Sequence, residues 1–156
     1  MVLLDSNLFV IDRFFPRDSN FQTNRTFLDT LATLEAGVSI FTLMELCGIA
    51  SFNLTPKDLR LWLHDFPSIY PVQILDPWGV GAVASQAWFS QFLEELTGKI
   101  ARKMSFGDAV LLREAEQYAV ASIVTWNTKD FTRRTIIPIL TPPTYLQRHP
   151  LPENTQ

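Results

Sequence analysis

The 156-residue sequence predicts a three-layer α/β/α domain, with helices on both faces of a central parallel sheet of four to five short strands. Three observations predict it. Short apolar runs recur along the chain, each stopping abruptly at polar residues. The segments between them carry apolar residues at helical spacing. Strand and helix alternate, which is the order that builds a parallel sheet covered on both sides.

Val2 to Leu4 form the first strand, ending at Asp5-Ser6-Asn7, residues that favour turns and helix caps. Thr23 to Ala36 carry Phe27, Leu28, Leu31 and Leu34 at helical spacing, and Val38 to Phe41 make the second strand. Helical patterns follow at 43–52 and, after the Thr55-Pro56 start signal, at 57–65. Val72 to Leu75 read as a third strand, tightly bracketed by Pro71 and Pro77. Val80 to Leu96 return to helix, and a further helix runs from Gly107 to Val120. It leads into the strand Ser122 to Thr125, and Ile136 to Leu140 give the last strand before a proline-rich tail at 141–156. With no repeat and no long linker, residues 1–156 are expected to form one domain.

Composition narrows the function classes. Cys47 stands alone, so neither an intramolecular disulfide nor a thiolate-rich metal site can form. His64 and His149 have no zinc-motif spacing. The start Met-Val-Leu-Leu-Asp lacks a basic leader, and no apolar run approaches the roughly 20 residues of a membrane span. A cytoplasmic protein with no membrane association is expected. The net charge of −3 argues against a broad basic surface, so any nucleic acid must be held locally. Arg102, Lys103, Lys129, Arg133 and Arg134 are the basic residues best placed by sequence to meet phosphates, and they read equally well as solvated charges.

Ligands of an open parallel sheet bind beyond the carboxyl ends of its strands. Acids or their amides occupy those positions here: Asp5 after the first strand, Glu45 one turn into the next helix, Asp108 opening the helix before the fourth strand, and Asn127 and Asp130 after it. Gathered carboxylates repel unless a cation compensates, and the hard ions Mg²⁺ or Mn²⁺ suit a site of carboxylates and water without histidine. One or two such ions support phosphodiester hydrolysis. Each acid also has a structural reading. Thr42-x-x-Glu45 and Ser105-x-x-Asp108 fit capping boxes, Asp5 could cap a helix, and Asp130 could be a surface acid. Asp108 shares a helical stripe with Leu111, Leu112, Ala115 and Ala119, and Glu45 one with Ile49 and Phe52, which points both carboxylates inward.

The ordered segments Leu3-Leu4-Asp5-Ser6-Asn7, Thr42-Leu43-Met44-Glu45-Leu46, Ser105-Phe106-Gly107-Asp108-Ala109 and Thr125-Trp126-Asn127-Thr128-Lys129-Asp130-Phe131, followed by Thr141-Pro142, resemble the PIN-domain family. They resemble more closely its VapC-like ribonuclease toxins of toxin-antitoxin modules. The resemblance spans nearly the whole chain. It implies a metal-dependent endoribonuclease with Asp5, Glu45 and Asp108 as metal ligands and Asn127 or Asp130 at the fourth position. Ser6 and Thr125 match polar positions near the metal. RNA substrate, an antitoxin protein and a homodimer are the implied partners. Trp126 departs from the small or basic residue usual there, and reads as a base-stacking platform or as packing. The aromatic-rich middle, including Trp62, Phe66, Tyr70, Trp78, Trp88, Phe89 and Phe92, reads mainly as core, any exposed excess suiting a dimer or antitoxin groove. The competing reading is an inactive PIN-fold RNA-binding or protein-interaction module. A phospho-accepting receiver domain fits less well, since no lysine follows Ile136 to Leu140.

Overall fold

Five short strands, all parallel, form the centre of the fold in the order β3-β2-β1-β4-β5. The computed structural model describes residues 1–78 and 85–150. Along the chain come β1 (Val2–Leu4), α1 (Ser6–Phe14), α2 (Phe21–Leu28), β2 (Ala36–Ser39), α3 (Ile40–Ala50), α4 (Pro56–Ile69), β3 (Gln73–Leu75), α5 (Ser85–Ile100), α6 (Phe106–Gln117), β4 (Ser122–Val124), β5 (Ile139–Leu140) and α7 (Pro142–Arg148). The three-layer α/β/α expectation describes this arrangement. Among the described residues no helix is long and apolar enough to cross a membrane.

The central strands β1, β2 and β4 are buried at every position because both of their faces are covered, and β1 is apolar throughout. Val2 and Leu4 of β1 and Val124 of β4 point into a core filled by Leu8, Phe9, Phe27, Leu46, Trp62 and Phe66. Their neighbours Leu3 and Ile123 point the other way, against Phe92 and Leu96 of α5 and Leu111 and Leu112 of α6. The two-residue period of a strand thus sorts adjacent leucines into separate cores. Gly37 in β2 sits where a side chain would collide, since a Cβ there would lie 3.0 Å from Leu75 Cδ1 and 3.1 Å from Met1 Sδ.

Several expected boundaries move, each through chemistry outside the local pattern. The helix expected over Thr23 to Ala36 is α2 from Phe21 to Leu28, a short 3-10 turn at Leu31–Thr33 and the start of β2. Leu31 is buried from that turn, so an apolar period survived without a continuous helix. The second strand begins and ends two residues earlier than Val38 to Phe41. Ser39 closes it by accepting a hydrogen bond from Phe41 N at 3.2 Å, which starts α3 three residues before position 43. The fourth strand ends at Val124, one residue before the expected Thr125. Only Ile139 and Leu140 of the last expected strand pair with β4, and Ile136 is fully exposed. The helix before β4 stops at Gln117 rather than Val120, and Ala119 follows with φ of 46°. Residues 80–84 of the helix expected from Val80 lie outside the described residues, and the remainder continues as α5 to Ile100.

Two helices escaped the sequence reading. α1 is capped by Asp5, and α7 lies within the expected proline-rich tail. Pro142 and Pro143 occupy the first turn of α7, where a missing N–H costs nothing. Tyr145 then packs edge-on to Phe27 at 5.4 Å, which docks α7 onto the first core.

Candidate active site

The carboxyl end of β1 meets that of β4 at a hydrogen-bonded knot around Asp5. Asp5 N donates to Val124 O at 3.1 Å, so the sheet ladder sets the backbone of the acid. Its Oδ1 accepts from Ser6 N at 2.6 Å and caps α1, while the Ser6 hydroxyl donates to the same oxygen at 3.3 Å. Its Oδ2 accepts from Asn7 Nδ2 at 2.7 Å and from Thr125 Oγ1 at 2.7 Å. The capping reading of Asp5 and the site reading are therefore both fulfilled by one carboxylate, since each oxygen takes a different set of donors.

Thr125 is fully buried and links the knot to the other predicted residues. Its Oγ1 accepts from Asn7 Nδ2 and from Asn127 N, each at 2.9 Å. Asn127 Nδ2 in turn donates to the Asp130 carboxylate. Asn127 is exposed and Asp130 half-buried, so this amide and acid form a pair at the rim rather than two independent groups. Asn7 has no assigned role in the sequence reading, although its side chain touches Asp5, Thr125 and, through Oδ1, Trp126 N at 3.2 Å. The Asp-x-Asn spacing after a strand is the signal that could have found it. Trp126 is half-buried, and its Nε1 donates to Asn24 Oδ1 at 2.8 Å, with Asn24 itself fully buried and donating to Leu8 O. The packing role of Trp126 therefore prevails over stacking.

Glu45 and Asp108 approach from α3 and α6, which pack against each other. Both raise the Asp5 pKa through their charge, burial being the larger cause, and the Thr125 and Ser6 hydrogen bonds only partly offset it; the carboxyl is pushed up from 3.8 to about 6. Gly107 brings α6 close to Glu45, because a Cβ there would lie 3.5 Å from Glu45 Oε1. The inward stripe expected for Glu45 is corrected: Glu45 is exposed, Ile49 half-buried and Phe52 90% exposed. Leu43, Leu46 and Ala50 form the buried face of α3 instead. The capping box expected for Thr42 and Glu45 is also absent, because Ser39 caps α3 and Thr42 lies buried within it. The second capping box forms by half, since Ser105 caps α6 but the Asp108 carboxylate returns to the Ser105 hydroxyl and not to its backbone N–H. Ser105 Oγ accepts from Asp108 N at 3.1 Å and donates to Asp108 Oδ2 at 2.6 Å. On the Asp108 stripe, Leu111, Leu112 and Ala115 are buried and Ala119 is exposed, leaving the carboxylate half-buried at the helix mouth.

None of Asp5, Glu45, Asp108 and Asp130 joins an ion pair among the described residues. The donor set is all oxygen and anionic, which fits a hard divalent cation that keeps most of its waters. As the side chains lie, no three such acids among the described residues close around a single point. Asp5 is the inner member, and Glu45 and Asp108 act on it from the two helices opposite.

Fold and site together define a three-layer α/β domain with acidic side chains along the carboxyl edge of its parallel sheet. No protein-family model and no curated protein matches the chain. Solved structures do share its fold. A chain of a toxin-antitoxin complex from Klebsiella pneumoniae superposes with a TM-score of 0.57 at 19% identity, covering 91% of this chain and 98% of that one. A chain of VapBC2 from Rickettsia felis, bound to a DNA fragment from their promoter, gives 0.61 at 18% identity over 90% and 98%. A chain of FitAcB from Neisseria gonorrhoeae gives 0.57 at 17% identity over 91% and 98%.

Proposed function

We propose that the chain is a metal-dependent endoribonuclease that cleaves RNA phosphodiester bonds and acts as the toxin of a toxin-antitoxin pair. The observation that carries this reading is Asp5: a carboxylate held by four donors at the junction of two parallel strands, pressed by the charges of Glu45 and Asp108, with no basic partner among the described residues. Such an arrangement costs stability when ionised and has a chemical use when a cation arrives. Asp5, Glu45 and Asp108 would hold Mg²⁺ or Mn²⁺, with Asp130 and Asn127 at the rim. Bound there, the ion would supply activation of water and neutralisation of phosphodiester charge. Thr125 and Asn7 hold one oxygen of the Asp5 carboxylate and Ser6 the other, so an incoming ion would take the place of one of these donors, the Ser6 hydroxyl at 3.3 Å being the longest of them. Glu45, exposed in the crevice wall beside Phe106 and Gly107, is placed to turn toward an incoming ion or water.

The partner reading is supported by the toxin-antitoxin complexes that share the fold. Exposed Phe106 and Met44 beside Glu45 offer apolar surface that such a partner would cover. An inactive RNA-binding or protein-interaction module is the second reading, favoured by the open spacing of the acids. Incubation of the protein with RNA and Mg²⁺ separates the two. The nuclease predicts cleavage that Asp5→Asn or Asp108→Asn abolishes while circular dichroism stays native. Cleavage retained in both variants removes the mechanism, and no cleavage by the wild type leaves the module. A short reading frame for an antitoxin beside the gene is the matching genomic expectation.

A further inference from the structure

Asn24 is a polar side chain with no solvent exposure, on the face of α2 that also buries Phe27 and Leu28. A leucine there would be buried at no polar cost, whereas an asparagine needs both ends of its amide bonded. Both ends are. Nδ2 donates to Leu8 O and Oδ1 accepts from Trp126 Nε1, each at 2.8 Å. Turning the amide over would set its NH₂ against the indole N–H, so the pair has one arrangement. A bond of this kind adds little stability over two apolar side chains of similar shape, but it fixes direction and distance as they do not.

The backbone of Trp126 closes the circuit. Its N–H donates to Asn7 Oδ1 at 3.2 Å, and Asn7 precedes Leu8 in α1. Three hydrogen bonds thus join α1, α2 and the segment after β4 in a ring through Leu8, Asn24, Trp126 and Asn7. That ring ends on the acidic site, because the Asn7 NH₂ group donates to Asp5 Oδ2 at 2.7 Å and to Thr125 Oγ1 at 2.9 Å. With Oδ1 taken by Trp126 N, the Asn7 amide presents donors to Asp5 and cannot be turned over. Trp126 also opens the segment that carries Asn127 and Asp130, and the buried Phe131 closes it. Trp126 packs against the first core and Phe131 in the second, so the segment crosses the sheet edge between two anchors. A shift of Trp126 would carry Asn127 with it, together with the bond from Asn127 N to Thr125 Oγ1.

We propose that Asn24 and Trp126 are positioning residues of the acidic site: their buried hydrogen bond holds the Asn127–Asp130 segment and the Asn7 amide in place against Asp5. The consequence, a site preset for a divalent cation, rests on the metal-dependent reading given above; the positioning itself does not. Neither side chain touches the cation or the reacting atoms in this scheme. Each acts through Asn7 and Asn127.

The test compares the full-length wild type with Trp126→Phe, which keeps an aromatic ring and removes the donor, and with Trp126→Phe combined with Asn24→Leu, which makes both partners apolar and returns the stability lost by the single change. Amide exchange followed by NMR reads the backbone N–H groups of residues 126 and 127, and titration calorimetry reads affinity for Mg²⁺. In both variants these two amides are expected to exchange at least about tenfold faster than in the wild type, while the amides of β1 and β4 in the double variant keep wild-type protection. Mg²⁺ affinity is expected to fall about tenfold in both. Unchanged exchange at 126 and 127 in Trp126→Phe overturns the proposal. Recovery of exchange and affinity in the double variant also overturns it, since the pair would then be packing alone. Faster exchange with unchanged Mg²⁺ affinity overturns it as well. If exchange behaves as stated while the wild type binds no Mg²⁺ and cuts no RNA, the positioning stands and the metal-dependent nuclease reading falls.

Discussion

Replacing Asp5 by asparagine separates the cost of the acidic site from its use. In the metal-free protein the rise of this carboxyl from 3.8 to about 6 corresponds to about 3 kcal/mol of stability lost on ionisation. The sign follows from proton counts. Well below pH 3.8 the carboxyl is protonated in both folded and unfolded chains and the penalty is absent. Between about pH 4 and 6 the unfolded chain releases its proton first, so stability falls as pH rises, and the loss is complete above about pH 7. The Asp5→Asn variant would carry no such slope. The new amide would keep one oxygen for Ser6 N, but its NH₂ group would face Asn7 Nδ2, now 2.7 Å from Oδ2, at a cost of about 1–2 kcal/mol. Asp5→Asn is therefore expected to be less stable than the wild type by about 1–2 kcal/mol at pH 4 and more stable by a similar amount at pH 8. Urea denaturation in EDTA at several pH values measures this. Mg²⁺ at about ten times its dissociation constant should then stabilise the wild type by about 1.4 kcal/mol and leave the variant unmoved. Parallel stability curves from pH 4 to 8 would refute the reasoning, since they would mean that the Asp5 charge is not strained in the fold.

Gly37→Ala should cost about 1–3 kcal/mol in urea melts because its Cβ meets Leu75 and Met1 at 3.0–3.2 Å, whereas Gly48→Ala, with nothing within 4 Å on helix α3, should stabilise by about 0.5–1 kcal/mol. Trp126→Phe should lose about 1–3 kcal/mol by orphaning the buried Asn24 Oδ1, and an Asn24→Ala background should abolish most of that loss in a double-mutant cycle. Glu114 is fully buried beside Arg113, and burial pushes its carboxyl from 4.5 up to about 7. Wild-type stability should therefore fall as pH rises from 4.5 to about 7, and Glu114→Gln should flatten that part of the thermal-melt profile.

The alternation of apolar runs with helical spacing determined the layered parallel sheet and its strand-ending acids, because those features depend on residues within a few positions of one another. Asp5, Thr125 and Asn127 were legible as candidates for the same reason: each follows an apolar run at the edge where such sheets bind ligands. Element ends were decided by the folded chain. Ser39 opens α3 before Thr42 could, and Ile136 is left in solvent because only Ile139 and Leu140 reach β4. Tertiary structure also decided which face of α3 carries Glu45, since a helix on which most residues are apolar offers several stripes and only its neighbours select one. The bond from Thr125 to Asp5 spans 120 positions and the bond from Trp126 to Asn24 spans 102. Such partnerships have no local signature, because strand order, rather than sequence spacing, brings their donors and acceptors together.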